Sequence, residues 1–443
     1  MMSEKENLKL QVNKILDERA TEIIDIAKRI AANPEPGYKE YKTAKLVQEE
    51  FDKLQLPHKD NLAITGVKSW LDTGSLGPTL AIIGELDSMV VPAHQNADPI
   101  TGAAHACGHH CQIAMMLGVA ASMKLSGVLD KLSGRLVFFA VPAEELIEVE
   151  FRNGLRSQGK LEFIGGKPEL VKLGEFDDVE IAMMTHTTST PEDRLLAVSG
   201  TNNGLVVKQI RYVGLGAHAG GSPHMGINAL NAATLGLQSI NALRETFQGE
   251  DTVRVHPIIT KGGDAVSAVP SDVRLETFVR ASNVDAILDW DKKVDRALRA
   301  GAMAVGAKVK ISTIPGYLPL NMDQTMMSHW QNNAETLVGK ESVSFTGHRT
   351  GSTDMGDISQ IIPSIHPYAG GVTGIGHGAD YIVQDYMKAV INPAKAMAMT
   401  VIDLLSDGAS GAKAVISKSK IPHTKESYLK LMRSFSRDEE FEN

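Results

Sequence analysis

The sequence predicts an α/β fold in which a mainly parallel sheet lies between helices and is interrupted by an inserted α+β domain. Three observations carry that prediction. TLAIIGEL (79–86), GRLVFFAV (134–141) and VEIAMMTH (179–186) are short, nearly continuous apolar runs, the pattern of strands buried on both faces. CQIAMMLGVAASMKLSGVL (111–129), between the first two, reads as a helix and completes a βαβ rhythm. From about Ala197 this texture stops, and it returns only at Ile314.

The remaining elements follow in order. Residues 5–32 carry Leu8, Leu10, Val12, Ile15 and Leu16, then Ile23, Ile24, Ala27 and Ile30, broadly at a helical period. NPEPG (33–37) breaks the pattern, and YKEYKTAKLVQEEFDKL (38–54) opens a second amphipathic helix. LLAVSGTNNGLVVKQIRYVGLG (195–216) alternates as half-exposed antiparallel strands do. A helix at 227–247, strand-like stretches at 252–259 and 272–281, a helix at 285–306 and a short strand at 307–313 complete an α+β segment of domain size. IIPSIHPYAGGV (361–372) and a helix through AVINPAKAMAMTVIDLL (389–405) restore the α/β pattern. The tail after Asp407 reads as a mobile or peripheral extension.

Composition narrows the function classes. Of 443 residues, 43% are hydrophobic and 22% charged, which is ordinary for a globular protein. The net charge of −8 and the lack of a Lys/Arg block argue against nucleic acid or anionic membrane as main partners. MMSEKENLKLQ lacks the apolar core of a signal peptide, and no uninterrupted apolar run approaches the ~20 residues of a membrane helix. A cytoplasmic protein is expected. Two cysteines, Cys107 and Cys111, form no disulfide framework.

Ionisable groups gather at the ends of the buried-type strands. The first runs into Asp87, the second ends in Glu144 and Glu145, and the third ends in His186. Open α/β sheets bind ligands beyond the carboxyl ends of their strands, so these groups should meet in one crevice. Adjacent strand-end residues point in different directions. One of Glu144 and Glu145 can therefore ligate a metal while the other moves a proton at the substrate. For HACGHH (105–110) several readings stand: a Cys107–His109 nucleophile and base, an inert buried cysteine, or two metal ligands from one tight Gly-containing loop.

Six motifs occur in order: HACGHH, VPAEE (141–145), THTT (185–188), AHAGGSPHMGINAL (217–230), GSTDMGD (351–357) and GIGHGADY (374–381). Together they resemble the aminoacylase/amidohydrolase branch of the dinuclear metallopeptidases related to glutamate carboxypeptidase, peptidase family "M-twenty". The branch includes aminobenzoyl-glutamate hydrolases, auxin-conjugate hydrolases and short dipeptidases. The similarity runs from NPEPGYKEY at 33 to the helix ending near 406.

The resemblance implies a metallopeptidase catalytic domain in two parts, 1–198 and 314–443, with a lid and dimerisation domain at 199–313. It implies two divalent ions, zinc or manganese, held by Cys107, His109, Glu145, His186 and His377. Glu144 matches the general base and Asp87 the acidic residue that orients the ligands. His218 matches a lid histidine that reaches the substrate or its oxyanion, often across a dimer. The implied activity is hydrolysis of N-acyl amino acids, aminobenzoyl-glutamate-like conjugates or small dipeptides by a metal-activated water, in a homodimer or higher homo-oligomer. A non-catalytic metal- or ligand-binding homologue and a thiol hydrolase are the alternatives.

Arg349, Ser352 and Asp354 are candidates for shaping the substrate pocket, whereas His105, His110, His224 and His348 lie near the motifs but outside the implied ligand set. The chain departs from the family's pattern at His110, Cys111 and Gln112, and at Ser267-Ala268-Val269-Pro270 in the lid. These departures bear on substrate identity and metal preference.

Overall fold

The structure, a computed structural model, describes residues 2–442. The chain opens with helices α1 (Glu4–Glu18), α2 (Ala20–Ala31) and α3 (Tyr41–Lys53), then strands β1 (His58–Leu62), β2 (Gly66–Asp72) and β3 (Thr79–Glu85). Helix α4 (His109–Leu125) crosses to β4 (Arg135–Val141), and β5 (Ile181–Met183) follows. With Ser364–Ile365 these strands form one six-stranded sheet in the order β1-β2-β4-β3-β5 and then 364–365. The pairings of β3 with β4 and β5, and of β5 with 364–365, are parallel; those of β2 with β1 and β4 are antiparallel.

Burial explains the apolar runs. All but the first residue of β3 and of β4 is buried, and α4 is buried continuously from His109 to Met123. A helix apolar all round belongs inside a fold, and α4 packs against β3, α1 and α2. The register pairs Glu85 with Val141, so β3 and β4 end level and their following residues share one edge.

Two of the sequence expectations are redrawn in the α/β part. The helix expected over 5–32 is two helices, which part at Arg19 (φ −102, ψ 8). No Gly or Pro marks that break, and Leu8, Val12, Leu16, Ile23, Ala27 and Ile30 all remain buried across it. VEIAMMTH is not one strand either. It leaves the main sheet after Met183 and continues as β6 (His186–Thr187) in a second, four-stranded sheet with β7 (Leu196–Ser199), Val343–Thr346 and Tyr368–Ala369. The jump carries His186 beyond the edge of the main sheet.

The second layer system is antiparallel. Strand β8 (Gly204–Val213) is flanked by β10 (Asp272–Ala281) and β11 (Lys308–Tyr317), with β9 (Ile258–Lys261) on the outer side of β10. Helices α5 (Ala229–Ala242) and α6 (Val284–Val305) pack on each other and on these strands. The half-exposed alternation expected at 195–216 does not hold for β8, which is buried at most positions because it is central; β10 alternates half-buried and buried residues throughout. The strand expected at 252–259 is interrupted at His256-Pro257, since proline has no N–H for the ladder.

The tail corrects a further expectation. Helix α7 (Asn392–Lys418) kinks at Ser406–Ala409 and continues; α8 (Lys425–Phe435) and β12 (Arg437–Phe441) follow, and β12 pairs antiparallel with β11. Tyr428, Met432 and Phe435, at helical spacing, are buried, so this segment is built into the fold, apart from Asn443 outside the described residues. The stretch Met387–Lys418, though interrupted by polar residues, is long and apolar enough to cross a membrane by composition; 89% of its most apolar window is buried inside the protein.

Candidate metal centre and active-site cleft

The two levelled strand ends, the loop before α4 and strand β6 bring the predicted residues together. Gly108 (φ +101) separates Cys107 from His109, and a Cβ there would run into Thr187 Oγ1 and Tyr381 Oη. Only glycine lets the loop turn so tightly against β6. Cys107 Sγ lies 3.3 Å from His186 Nε2. His109 Nδ1 is held by the Asp87 carbonyl oxygen at 2.9 Å and carboxylate at 3.2 Å, which turns Nε2 into the cluster. Asp87 also accepts the Glu145 backbone N–H at 2.9 Å. His377 reaches in from a turn where its own φ is +65, and its Nε2 is 3.3 Å from Glu145 Oε1.

Three groups of donor atoms result, each within 4.8 Å of one another: Cys107–His109–His186, Cys107–Glu145–His377 and Glu85–His109–Glu144. Two buried donors, His109 Nε2 and Glu145 Oε1, have no hydrogen-bond partner. Orphaned imidazole and carboxylate atoms facing a thiol are what a cation site leaves in the bare protein, because buried polar atoms are otherwise satisfied. The donor set therefore fits divalent metal.

The electrostatics agree. Burial and Glu145 would raise the Cys107 thiol, but His186, His109 and His377 bring it down to about 6. Burial, with Glu85 and Glu145 beside it, pushes the Glu144 carboxyl well up. Burial also opposes ionisation of Glu145, yet His377 and His109 hold it well below the usual range. Glu145 in turn raises His377 to about 12. A thiolate and an ionised carboxylate are the forms that ligate metal.

The cluster floors a cleft of about 710 Å³, a volume suited to a small molecule. Its walls come from both layer systems: Leu205, Phe278, Arg280 and Tyr317 from the antiparallel sheet, and His348, Arg349, Ser352 and Tyr368 from the rest. Arg349 pairs with buried Asp193 at 2.6 Å and stacks on Tyr368. Arg280 bonds Ser352 Oγ at 3.4 Å and has no carboxylate within ion-pair distance among the described residues. Asp354 does not line the cleft; it is buried behind it against Lys167.

His218 stands elsewhere. It lies on an exposed lid loop bridged to Ala268, and its Nδ1 accepts the N–H groups of Gly220 (3.1 Å) and Gly221 (2.9 Å). Neither His218 nor Ser267 lines the cleft of its own chain. His105 and His110 are buried behind the ligand loop with rings 5.0 Å apart, His224 is exposed in the lid, and His348 bonds Thr201 at 2.8 Å. Sequence reasoning missed Glu85, Lys167 and His366. Glu85 had a signal, its spacing of two from Asp87 at the end of a buried strand, which places both on one face.

Comparison with known proteins places the chain. Residues 82–399, most of its length, match the family model of peptidase family M20/M25/M40. The chain belongs to this family. This M20-family chain is 30% identical to an Xaa-Arg dipeptidase of Mus musculus over 321 residues, 70% of this chain and 68% of that protein. It is 26% identical to an IAA-amino acid hydrolase of Arabidopsis thaliana, with 79% and 77% of the two chains covered. Among solved structures, a dinuclear metal binding peptidase of the M20 family from Bacillus subtilis shares the fold at TM-score 0.60 and 19% identity, over 86% of this chain and 97% of that one.

Proposed function

We propose that this M20 protein is a two-metal amidohydrolase that cleaves an amide bond in N-acyl amino acids or small dipeptides. The observation that carries this reading is the pair of donor groups that share Cys107 beneath a cleft of about 710 Å³. Cys107, His109 and His186 would hold one ion and Cys107, Glu145 and His377 the other. Two divalent ions there would supply Lewis acidity and a nucleophilic water at neutral pH. Sulfur and imidazole donors favour zinc, and the carboxylates leave manganese as the harder alternative.

The chain's own residues do the rest. Glu144 takes the proton of the attacking water and delivers it to the leaving amine nitrogen, which breaks the amide. Asp87 fixes the ring of His109. Arg280, an unpaired cation in the wall, holds the carboxylate of the substrate, while Phe278 and Leu205 cover its apolar part. His218 serves the cleft of a second copy. Among the described residues β9 pairs only with β10, and Leu215, Met225, Ile258 and Val266 of the same layer system are exposed, a surface at which a homodimer would form.

Glu144→Gln tests the assignment. Metal content by elemental analysis should stay at the wild-type level while turnover of the best substrate from a panel of N-acyl amino acids and dipeptides falls about 10²- to 10⁴-fold. Retained turnover would remove Glu144 from the mechanism. A thiol hydrolase would resist chelators and be killed by alkylation, the opposite of what is expected. Full metal occupancy without hydrolysis of any panel member would favour a binding protein.

A further inference from the structure

Glu85, the last residue of β3, has no exposed side-chain surface. Its Oε1 accepts from Lys167 Nζ at 2.5 Å and its Oε2 from Gln112 Nε2 at 2.9 Å. The Glu85 backbone N–H donates back to Gln112 Oε1 at 3.2 Å, so the carboxylate is clamped. Its Oε2 stands 3.1 Å from His109 Nε2, yet no hydrogen bond joins them, and Nε2 is an orphaned buried atom. Orientation of His109 is already supplied through Nδ1 by Asp87.

Two donors side by side but not aimed at each other have the spacing of neighbours on one ion. Metal bonds of about 2.0–2.2 Å at angles near 90–109° put adjacent donors about 2.8–3.6 Å apart. Cys107 Sγ to His186 Nε2 and Glu145 Oε1 to His377 Nε2, both 3.3 Å, show the same spacing.

Charge points the same way. Lys167 sits between Glu85 and Asp354, and none of the three side chains is exposed. One cation between two carboxylates leaves a net negative charge in the interior, which is costly unless another cation faces it. A second buried group, Lys208 with Asp291 and Asp295, is balanced by Arg437. Around Glu85 and Asp354 no second Lys or Arg lies within ion-pair distance among the described residues. Asp354 is occupied by the Lys167 ammonium and by its backbone N–H at 3.0 Å. The uncompensated charge therefore faces His109.

We propose that Glu85 is itself a metal ligand, its Oε2 joining His109 on the ion that His109 holds, with Lys167 as the positioning residue. This rests on the dinuclear reading above. The extra anionic oxygen makes the two positions unequal and moves the His109 ion toward harder metals than a Cys–His–His set alone would take.

The test is titration of the metal-free full-length protein with Co²⁺. The Cys107 thiolate-to-cobalt band and the d–d bands are followed, with stoichiometry from elemental analysis after dialysis. Wild type should take two equivalents. Glu85→Gln and Glu85→Asp should weaken one equivalent by at least about tenfold and change the d–d bands while keeping the thiolate band. The aspartate variant keeps the charge Lys167 needs but is one methylene short, so it reports even where the glutamine variant does not fold. Asp354→Asn removes the same charge away from the donors and should leave the d–d bands as in wild type.

Wild-type affinity and spectra in both Glu85 variants would overturn the proposal. So would weaker binding with superimposable d–d bands, or an Asp354→Asn spectrum altered like that of Glu85→Gln, the signs of charge balance without ligation. A wild-type protein that holds fewer than two ions overturns the dinuclear reading, and this proposal with it, before any variant is made.

Discussion

His377 and Glu145, proposed as ligands of one ion, stand 3.3 Å apart. Each favours the other's charged form, and Glu145 raises the imidazole to about 12. His109 is also pushed well up: burial opposes the proton, but Glu85, Cys107 and Asp87 outweigh it. Both rings ligate only when neutral, so ion binding must expel their protons. Apparent affinity for zinc should therefore rise with pH between about pH 5 and 8, with net proton release at neutral pH. Calorimetry in buffers of different ionisation enthalpy checks this, and a pH-independent affinity would contradict it. At the wall of the cleft, Arg280→Met should raise KM about 10- to 100-fold for substrates with a free carboxylate, roughly 1.5–3 kcal/mol of charged hydrogen bonding. Amidated analogues should show no such change.

At the scale of elements, the C-terminal segment is the least expected part. Strand β12 covers the outer edge of β11, while Lys425 and Arg433 tie α8 to Asp177 and Glu162 of the α/β layer. Its Arg437 completes the charge of the otherwise buried Asp291 and Asp295. Breaking a buried pair costs about 3–5 kcal/mol. The 29% exposure of Arg437 brings the expected cost of Arg437→Met to about 1–2 kcal/mol. The expected result is a lower urea midpoint with an unchanged m-value. A midpoint equal to wild type would show that the strand holds without the ion pair.

For the whole molecule, the position of His218 is decisive. It lies on an exposed loop bridged to Ala268 and does not line the cleft of its own chain. His218→Ala and Glu144→Gln should each be inactive alone. Mixed under conditions that exchange subunits, they should regain about one quarter of wild-type turnover, since half the dimers are mixed and each has one complete site. No recovery despite exchange, followed by sedimentation, would place His218 outside the chemistry.

The sequence by itself determined the strands that hold the site and most of its donors. Uninterrupted burial leaves a strand no polar positions until its end, so Asp87, Glu144 and Glu145 stand out as the first ionisable residues beyond an apolar run or at its close. Glu85 was hidden by the same logic, lying inside the run, where it shares Lys167, 82 residues away, with Asp354. That pairing has no local sequence signal. Nor has the break at Arg19, which lacks Gly or Pro, or the docking of the tail, whose hydrogen-bond partners include Asp357, 71 residues away, and Glu162, 271 residues away. Tertiary structure alone decided which donor atoms cluster, which charges lack a second partner and that His218 does not line the cleft of its own chain. Each depends on distances between segments remote in the chain, and local periodicity carries no information about those.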